Sequence, residues 1–377
     1  MPLYHSEDQA MLAETAQQFM GEEGAISKQL RHWRDRECKD GFGHALWKQM
    51  AEMGFTGILV PEADGGLGMG NVEAGIVLEE IGRNLTPSPF LTTAVAAARA
   101  ITDTAHADRW FPEILSGEAV LALAVDEGPR HAPERTALEA RRQGNGFVLN
   151  GAKQFVVLGG SADMIVTAAR TAGSPGDRDG ITLFAVPKDA PGLSVDNQAL
   201  VDSSKAARLA FENVELDADA VIGEVDGGWQ PLSRALAAGS AGAAAELVGV
   251  ASGASDMTLD YIRQRKQFGR LIGEFQSLQH RAAHLYSEIE IARAAAFKAA
   301  QLLDAGDDKA ELYVSVAKAR AAEAANLAVR EGVQMHGGIG MTDEHDVGLF
   351  MKREAVLGEL FGDVYYHRNR VAELIGY

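Results

Sequence analysis

Apolar residues recur at three- and four-residue intervals through most of the first 118 positions. Over residues 8–22 they place Met11, Leu12, Thr15, Ala16 and Phe19 on one side, which predicts an amphipathic helix with that side inward. Residues 43–53 repeat the spacing with Leu46, Met50 and Met53, and residues 71–82 with Ile76, Val77, Leu78 and Ile81. Between these two helices, residues 54–70 form a short apolar run and a glycine-rich turn. Pro87 and Pro89 then break the chain ahead of another Ala-rich helix.

The period changes after Ala119. Short β-branched runs at 146–150, 155–158, 164–168, 182–186 and 208–214 alternate with turn signals. Gly144-Asn145-Gly146 and Asn150-Gly151 are expected as hairpin turns. From about Gly227 the helical period returns. Helices are expected over 231–263, 278–305 and 309–333, the second with Leu285, Ile289, Ala292 and Ala296 in a stripe. Helices, then strands, then helices predict an α+β fold rather than a doubly wound parallel sheet. The expected divisions are an N-terminal helical domain (1–118), a small antiparallel β domain (119–226) and a C-terminal helical domain resembling a four-helix bundle (227–377).

Composition narrows the function. The chain has 377 residues and a net charge of −18. That disfavours nucleic acid and anionic lipid as partners, since both need a basic surface. Apolar residues reach 46%, which excludes a disordered chain. Cys38 is the single cysteine, so no intramolecular disulfide forms. Residues 1–9 are polar, with no apolar signal core. Residues 235–255 are the greasiest stretch, but Ala, Gly and Ser dominate it and it contains Glu246, so a tightly packed internal helix is expected there rather than a membrane span. A cytoplasmic location is expected.

Three motifs bear on chemistry. The glycine runs 65–70 and 337–340 lack the Gly-x-Gly-x-x-Gly spacing of a dinucleotide fingerprint. His280 and His284 have a ligand-like spacing, but neither a general-base Glu nor further ligands accompany them, so no metal is expected. Residues 261–269 end a helix with clustered cations and an aromatic. Such a cluster can hold a phosphate through Arg or merely complement the helix dipole.

Several segments taken together resemble the acyl-CoA dehydrogenase family. Arg265-Lys266-Gln267-Phe268-Gly269 followed by Gln276 is similar to its R-x-x-F-G-x-x-x-x-x-x-Q signature. Gln334-Met335-His336-Gly337-Gly338-Ile339-Gly340 is similar to its Q-x-x-G-G-x-G segment. Residues 61–70, 78–83 and 211–214 resemble further family segments. The resemblance spans essentially the whole chain. It implies FAD, a tetramer with flavin sites at subunit interfaces, and α,β-dehydrogenation of an acyl-CoA thioester in lipid or steroid catabolism, with electron-transfer flavoprotein as acceptor. It also implies that Arg265 holds the FAD pyrophosphate of a neighbouring subunit. Gln267, Phe268 and Gln276 would line the adenosine side, and Gln334, Gly337 and Gly338 would contact the dinucleotide from another chain.

The resemblance also exposes departures. The family's usual catalytic Glu falls at Phe361, and its alternative position at Gly239. Neither can abstract a proton. Val125-Asp126-Glu127-Gly128-Pro129-Arg130 and Phe155-Val156-Val157 replace two flavin-facing segments, and Ala237 and Ser240 replace a pair near CoA. Asp363, Glu359 and Glu246 are the candidates for a relocated base; their ordinary roles would be a helix cap for Asp363 and a hydrogen-bonded structural carboxylate for Glu246. The expectation is the base-lacking subunit of a heteromeric acyl-CoA dehydrogenase of the pimeloyl-CoA or steroid side-chain type. A homomeric flavin oxidoreductase with a relocated carboxylate and a non-catalytic paralogue stabilising a partner are the alternatives.

Overall fold

A computed structural model describes residues 3–377. Met1 and Pro2, part of the polar N-terminal stretch, lie outside the described residues. The N-terminal helices are α1 (Glu7–Glu22), α2 (Leu30–Asp35), α3 (His44–Glu52), α4 (Asn71–Arg83), α5 (Ala98–Ile101) and α6 (Ala105–Leu115). The Ala-rich helix after Pro89 opens as eight π-helical residues, Phe90–Ala97, before α5. Ser6 caps α1 reciprocally with Gln9, satisfying two amides at its start. Ala16 and Met20 are the fully buried residues of α1, whereas Met11 is 62% exposed, so the apolar stripe is rotated from the expected one.

The central strands are β1 (Leu121–Ala124), β2 (Glu139–Gln143), β3 (Gly146–Val157), β4 (Met164–Arg170), β5 (Ile181–Pro187), β6 (Leu193–Ala199), β7 (Lys205–Leu216) and β8 (Val221–Ile222). They form one eight-stranded sheet in the order β6-β7-β3-β2-β4-β5-β8, with β1 beside β4. Most pairs are antiparallel, but β4 pairs in parallel with both β1 and β2, so the sheet is mixed. Gly144 and Asn145 make the expected hairpin turn between Gln143 and Gly146. Asn150-Gly151 does not turn. β3 continues through it and pairs with β7 on both sides of a register shift, with Gly151 at φ 138°. Pairing with a long neighbour overrides the local turn signal. The sheet core centres on Leu149, Ile165, Phe184 and Val214, with Phe147 and Phe184 meeting edge-on at 5.1 Å.

The C-terminal part holds α7 (Trp229–Gln264), a short hairpin of β9 (Lys266–Gln267) and β10 (Arg270–Leu271), then α8 (Gln276–Asp304), α9 (Ala310–His336), α10 (Val347–Glu359) and α11 (Val364–Leu374). Leu285, Ile289, Ala292 and Ala296 are buried along α8 as expected. α7 is long and apolar enough to cross a bilayer, yet 94% of its apolar window is buried within the protein.

By contact, the chain divides into two compact units. One comprises Met1–His32, Asn71–Pro87 and Ser240–Tyr377; the other comprises Trp33–Gly70 and Ser88–Gly239. In the first unit α4 lies backbone to backbone on α7. A Cβ on Gly82 would overlap the Glu246 carbonyl oxygen, and a Cβ on Gly253 would come within 2.5 Å of the Arg83 carbonyl oxygen. Asp304, at the end of α8, caps the start of α4, accepting from the amides of Asn71 (2.6 Å) and Val72 (3.1 Å).

One glycine of α4 is not under this constraint. Gly75 borders a small void of about 40 Å³ with Ala241, Ala245 and Ala296, and the nearest atom to an added Cβ is that of Ala245 at 3.5 Å. Gly75→Ala is therefore expected to raise stability by about 0.5–1 kcal/mol, the helix-interior cost of glycine. Chemical denaturation checks this, and a lower midpoint would refute it.

Candidate functional site

After α7 ends at Gln264, the chain enters a tight hairpin. Lys266 pairs with Leu271 and Gln267 with Arg270, leaving Phe268 and Gly269 as a two-residue turn. Both have positive φ, 54° and 80°. This is the primed turn that matches strand twist, and a phenylalanine adopts it only at a cost. Phe268 is nonetheless 90% exposed, and Arg265, Lys266 and Gln267 are exposed beside it. The hairpin is braced from its own base. Arg270 lies 4.0 Å over the Phe275 ring, Phe268 meets that ring edge-on at 6.2 Å, and the Ile272 amide donates to the Arg265 carbonyl. Gln276 follows as the exposed first residue of α8. Arg265, Gln267, Phe268 and Gln276 thus lie on the hairpin and the helix start just after it.

Gln334, Gly337 and Gly338 lie at the other end of α9. Gln334 is exposed in the last turn, and a Cβ on either glycine would meet nothing within 4 Å. Aromatic packing ties this end to the foot of the hairpin. Tyr261 stacks on His336 at 4.3 Å, and His345 packs against the same imidazole at 4.3 Å. His336 Nδ1 donates to the Gly332 carbonyl at 2.7 Å, while its buried Nε2 has no hydrogen-bond partner. Burial pushes this imidazole below the usual histidine range. No sequence pattern announces the three-ring packing, because its members are 75 and 84 residues from Tyr261 along the chain.

Phe361 sits between α10 and α11 and is buried, with φ 60°. Gly362 follows at φ 105°, where a Cβ would overlap the Tyr366 ring. Asp363 is the N-cap of α11, accepting from the Tyr366 amide at 2.7 Å. Glu359 is exposed at the end of α10. Glu246 is only 2% exposed, and one of its oxygens accepts from both Nε (2.9 Å) and Nη2 of Arg353. Gly239 is buried within α7, with Ala237 and Ser240 in the same helix. Asp363 and Glu246 are therefore both engaged in structural hydrogen bonds. Phe361 and Gly239 present no ionisable side chain.

Behind the 361 turn lies a group of buried polar side chains that sequence reading did not single out. Lys318 of α9 is 1% exposed and donates to the carbonyls of Gly358 (2.8 Å) and Gly362 (3.0 Å). His367 Nε2 donates to the Phe361 carbonyl at 3.1 Å. Glu354 is buried beside them, its carboxyl pushed up by desolvation and hydrogen-bonded by Asn326 at 3.3 Å. Little in the sequence signals this group: Lys318 lies in Ala317-Lys318-Ala319-Arg320-Ala321-Ala322, where Arg320 two residues on makes the stretch read as an ordinary charged helix face.

In the other unit, Lys153 of β3 is wholly buried. It donates to Glu127 Oε1 at 2.7 Å and to the Val125 carbonyl at 2.8 Å. Burial pushes its ammonium below the usual lysine range, against the pull of Glu127. Glu127 also accepts from the amides of Ala137 and Leu138. This pair anchors residues 125–130 to β3 just ahead of Phe155, whose φ of 55° falls at the strand's second irregularity. His280 and His284 are both exposed on α8, and among the described residues no three metal-ligating side chains converge.

Comparison with known proteins gives one consistent result. The acyl-CoA dehydrogenase N-terminal, middle and C-terminal domain profiles match residues 6–118, 129–214 and 226–376. Cyclohex-1-ene-1-carbonyl-CoA dehydrogenase of Geobacter metallireducens is 34% identical over 339 residues, covering 86% of each chain. The ChsE4–ChsE5 complex from Mycobacterium tuberculosis includes a chain of TM-score 0.88 and 25% identity, with full coverage of both chains. A steroid ACAD variant, Tcur3481–Tcur3483, superposes with TM-score 0.87 and 28% identity over 98% of each chain. With matches of this extent in all three regions, the chain belongs to the acyl-CoA dehydrogenase family of oxidoreductases.

Proposed function

We propose that this chain is the base-lacking subunit of a heteromeric, FAD-dependent acyl-CoA dehydrogenase. The observation that carries the reading is Phe361. It occupies the family's base position in a well-held turn, while two of the three relocated candidates, Asp363 and Glu246, are committed to a helix cap and to Arg353, and the third, Glu359, is exposed at the end of α10. A carboxylate is required to remove the α-proton of the thioester, so it comes from a homologous partner subunit. The complexes named among the structural relatives support a paired arrangement.

The exposed donors fit a dinucleotide. Arg265 offers a forked cation for a pyrophosphate, Gln267 and Gln276 offer amides, Phe268 a ring face, and Gly337 and Gly338 an unobstructed backbone. These residues bind and orient FAD lodged mainly in the partner. FAD held there would supply the acceptor for the substrate's β-hydride, with electron-transfer flavoprotein as the onward electron acceptor.

The test is expression of this chain alone and with a base-bearing homologous partner, followed by visible absorption and anaerobic titration with an acyl-CoA panel. The chain alone is expected to purify nearly colourless, and the complex yellow and bleachable by substrate. A yellow, substrate-reducible homo-oligomer would refute the reading and favour a relocated base. A complex colourless under all conditions would favour a structural paralogue. Within the complex, Arg265→Ala is expected to weaken flavin retention by about tenfold to a hundredfold, the loss of one or two charge-assisted hydrogen bonds.

A further inference from the structure

We propose that Lys318 and His367 act as a positioning clamp that fixes the backbone of residue 361 at the acyl-thioester site. The inference rests on the reading above, in which the turn 358–363 faces the thioester. The turn is costly in isolation. Phe361 at φ 60° and Gly362 at φ 105° are two successive residues in the left-handed half of backbone space. The first is bulky, and its conformation costs on the order of 1 kcal/mol or more. Such a turn persists only when its surroundings over-determine it.

The surroundings do so with side chains from two separate helices. Lys318 reaches from α9 to the carbonyls of Gly358 and Gly362, and His367 reaches back from α11 to the carbonyl of Phe361. Three carbonyls within five residues are therefore bound by buried donors. Ordinary helix capping explains only the first, because Gly358 lies within α10 while Phe361 and Gly362 lie beyond its end. Tyr366 closes the remaining side, its ring against the α-carbon of Gly362 and edge-on to His367 at 5.1 Å. Neither donor side chain reaches the surface, so neither touches substrate or cofactor directly. Their action is on the backbone that carries residue 361.

The test uses the full chain labelled with 4-fluorophenylalanine. Of the 14 phenylalanine lines, that of Phe361 is identified by its loss in Phe361→Leu. Lys318→Met and His367→Leu keep bulk while removing the donors. Each is expected to displace or broaden the Phe361 line and to speed amide exchange across 359–363 by about tenfold or more, the loss of a net hydrogen bond's worth of protection. The other lines are expected to stay in place. His367→Gln, which keeps an N–H near the Nε2 position, is expected to restore both readouts, and a purely space-filling histidine would not be rescued in this way. If Lys318→Met does not fold, the His367 pair decides. An unmoved Phe361 line in the donor-deleted variants overturns the clamp, as does a general shift of all lines that Gln fails to reverse. None of these readouts needs flavin. Adding butyryl-CoA to the flavin-loaded complex tests the underlying reading separately, since an unmoved Phe361 line there removes the turn from the acyl site without touching the clamp.

Discussion

Gly249→Ala is expected to destabilise the protein by about 3 kcal/mol or more, and Gly249→Leu to prevent folding, because the added carbon has nowhere to go. A Cβ at this position would overlap the Glu79 carbonyl oxygen and lie 2.8 Å from the Arg83 amide nitrogen. Both are backbone atoms of a regular helix, so no rotamer change relieves the clash. α4 would have to move away from α7, and the neighbouring approaches at Gly82 and Gly253 would open with it. Helix propensity works the other way, favouring alanine by about 1 kcal/mol. At Gly75, on the same helix pair, propensity wins because the space is open; at Gly249 the clash wins. Chemical denaturation of the two alanine variants beside wild type decides the matter. A Gly249→Ala midpoint within error of wild type would refute the backbone-on-backbone contact.

The second large effect is a dependence of stability on pH. Burial lowers the Lys318 ammonium from 10.5 to about 7, although Glu359, Asp363 and Glu354 all pull it upward. Between those two values the unfolded chain holds a proton that the folded chain has released. Stability from this group therefore rises with pH, by about 1 kcal/mol per pH unit, and the charged form's burial penalty is fully felt below pH 7. The stability difference between wild type and Lys318→Met is expected to shift in favour of wild type from pH 7 to 9. Taking the difference removes the titrations common to both proteins. A difference that is flat across this range would mean that Lys318 stays charged in the folded state. The sign holds whichever variant is the more stable at pH 7, because Met loses two hydrogen bonds but carries no proton.

Local pattern made much of this architecture legible. The change of period near Ala119, and its reversal near Gly227, marks the sheet within the helical sequence, because side-chain direction repeats every two residues in strands and every 3.6 in helices. The same logic made α7 an internal helix: Ala, Gly and Ser in that density serve close approach, and a buried glutamate needs a partner. That partner could not be named, since Arg353 lies 107 residues away. Asn150-Gly151 misled for a related reason, because the long pairing of β3 with β7 outweighs a two-residue preference. The parallel pairings of β4 likewise arise from contacts between distant segments. At the proposed flavin site, the residues belonging to continuous motifs, Arg265 to Gln276 and Gln334 to Gly338, could be singled out from the sequence as candidates. Lys318, His367 and the stack of Tyr261 on His336 could not, since each matters only through what folding brings to it.

The discontinuity of the helical unit has a consequence for synthesis. α4 leaves the ribosome ~160 residues before the half of α7 that packs against its glycine, an interval on the order of ten to thirty seconds at usual elongation rates. The stretch made in between, Ser88–Gly239, belongs to the other unit, which can therefore form first while α4 waits. Throughout that interval the small-residue side of α4, with Gly75 and Gly82, has no α7 to cover it, and Val72 and Ile76 lack Ala300 of α8. The nascent chain thus carries an exposed greasy helix ahead of a finished sheet, the kind of intermediate that holdase chaperones bind.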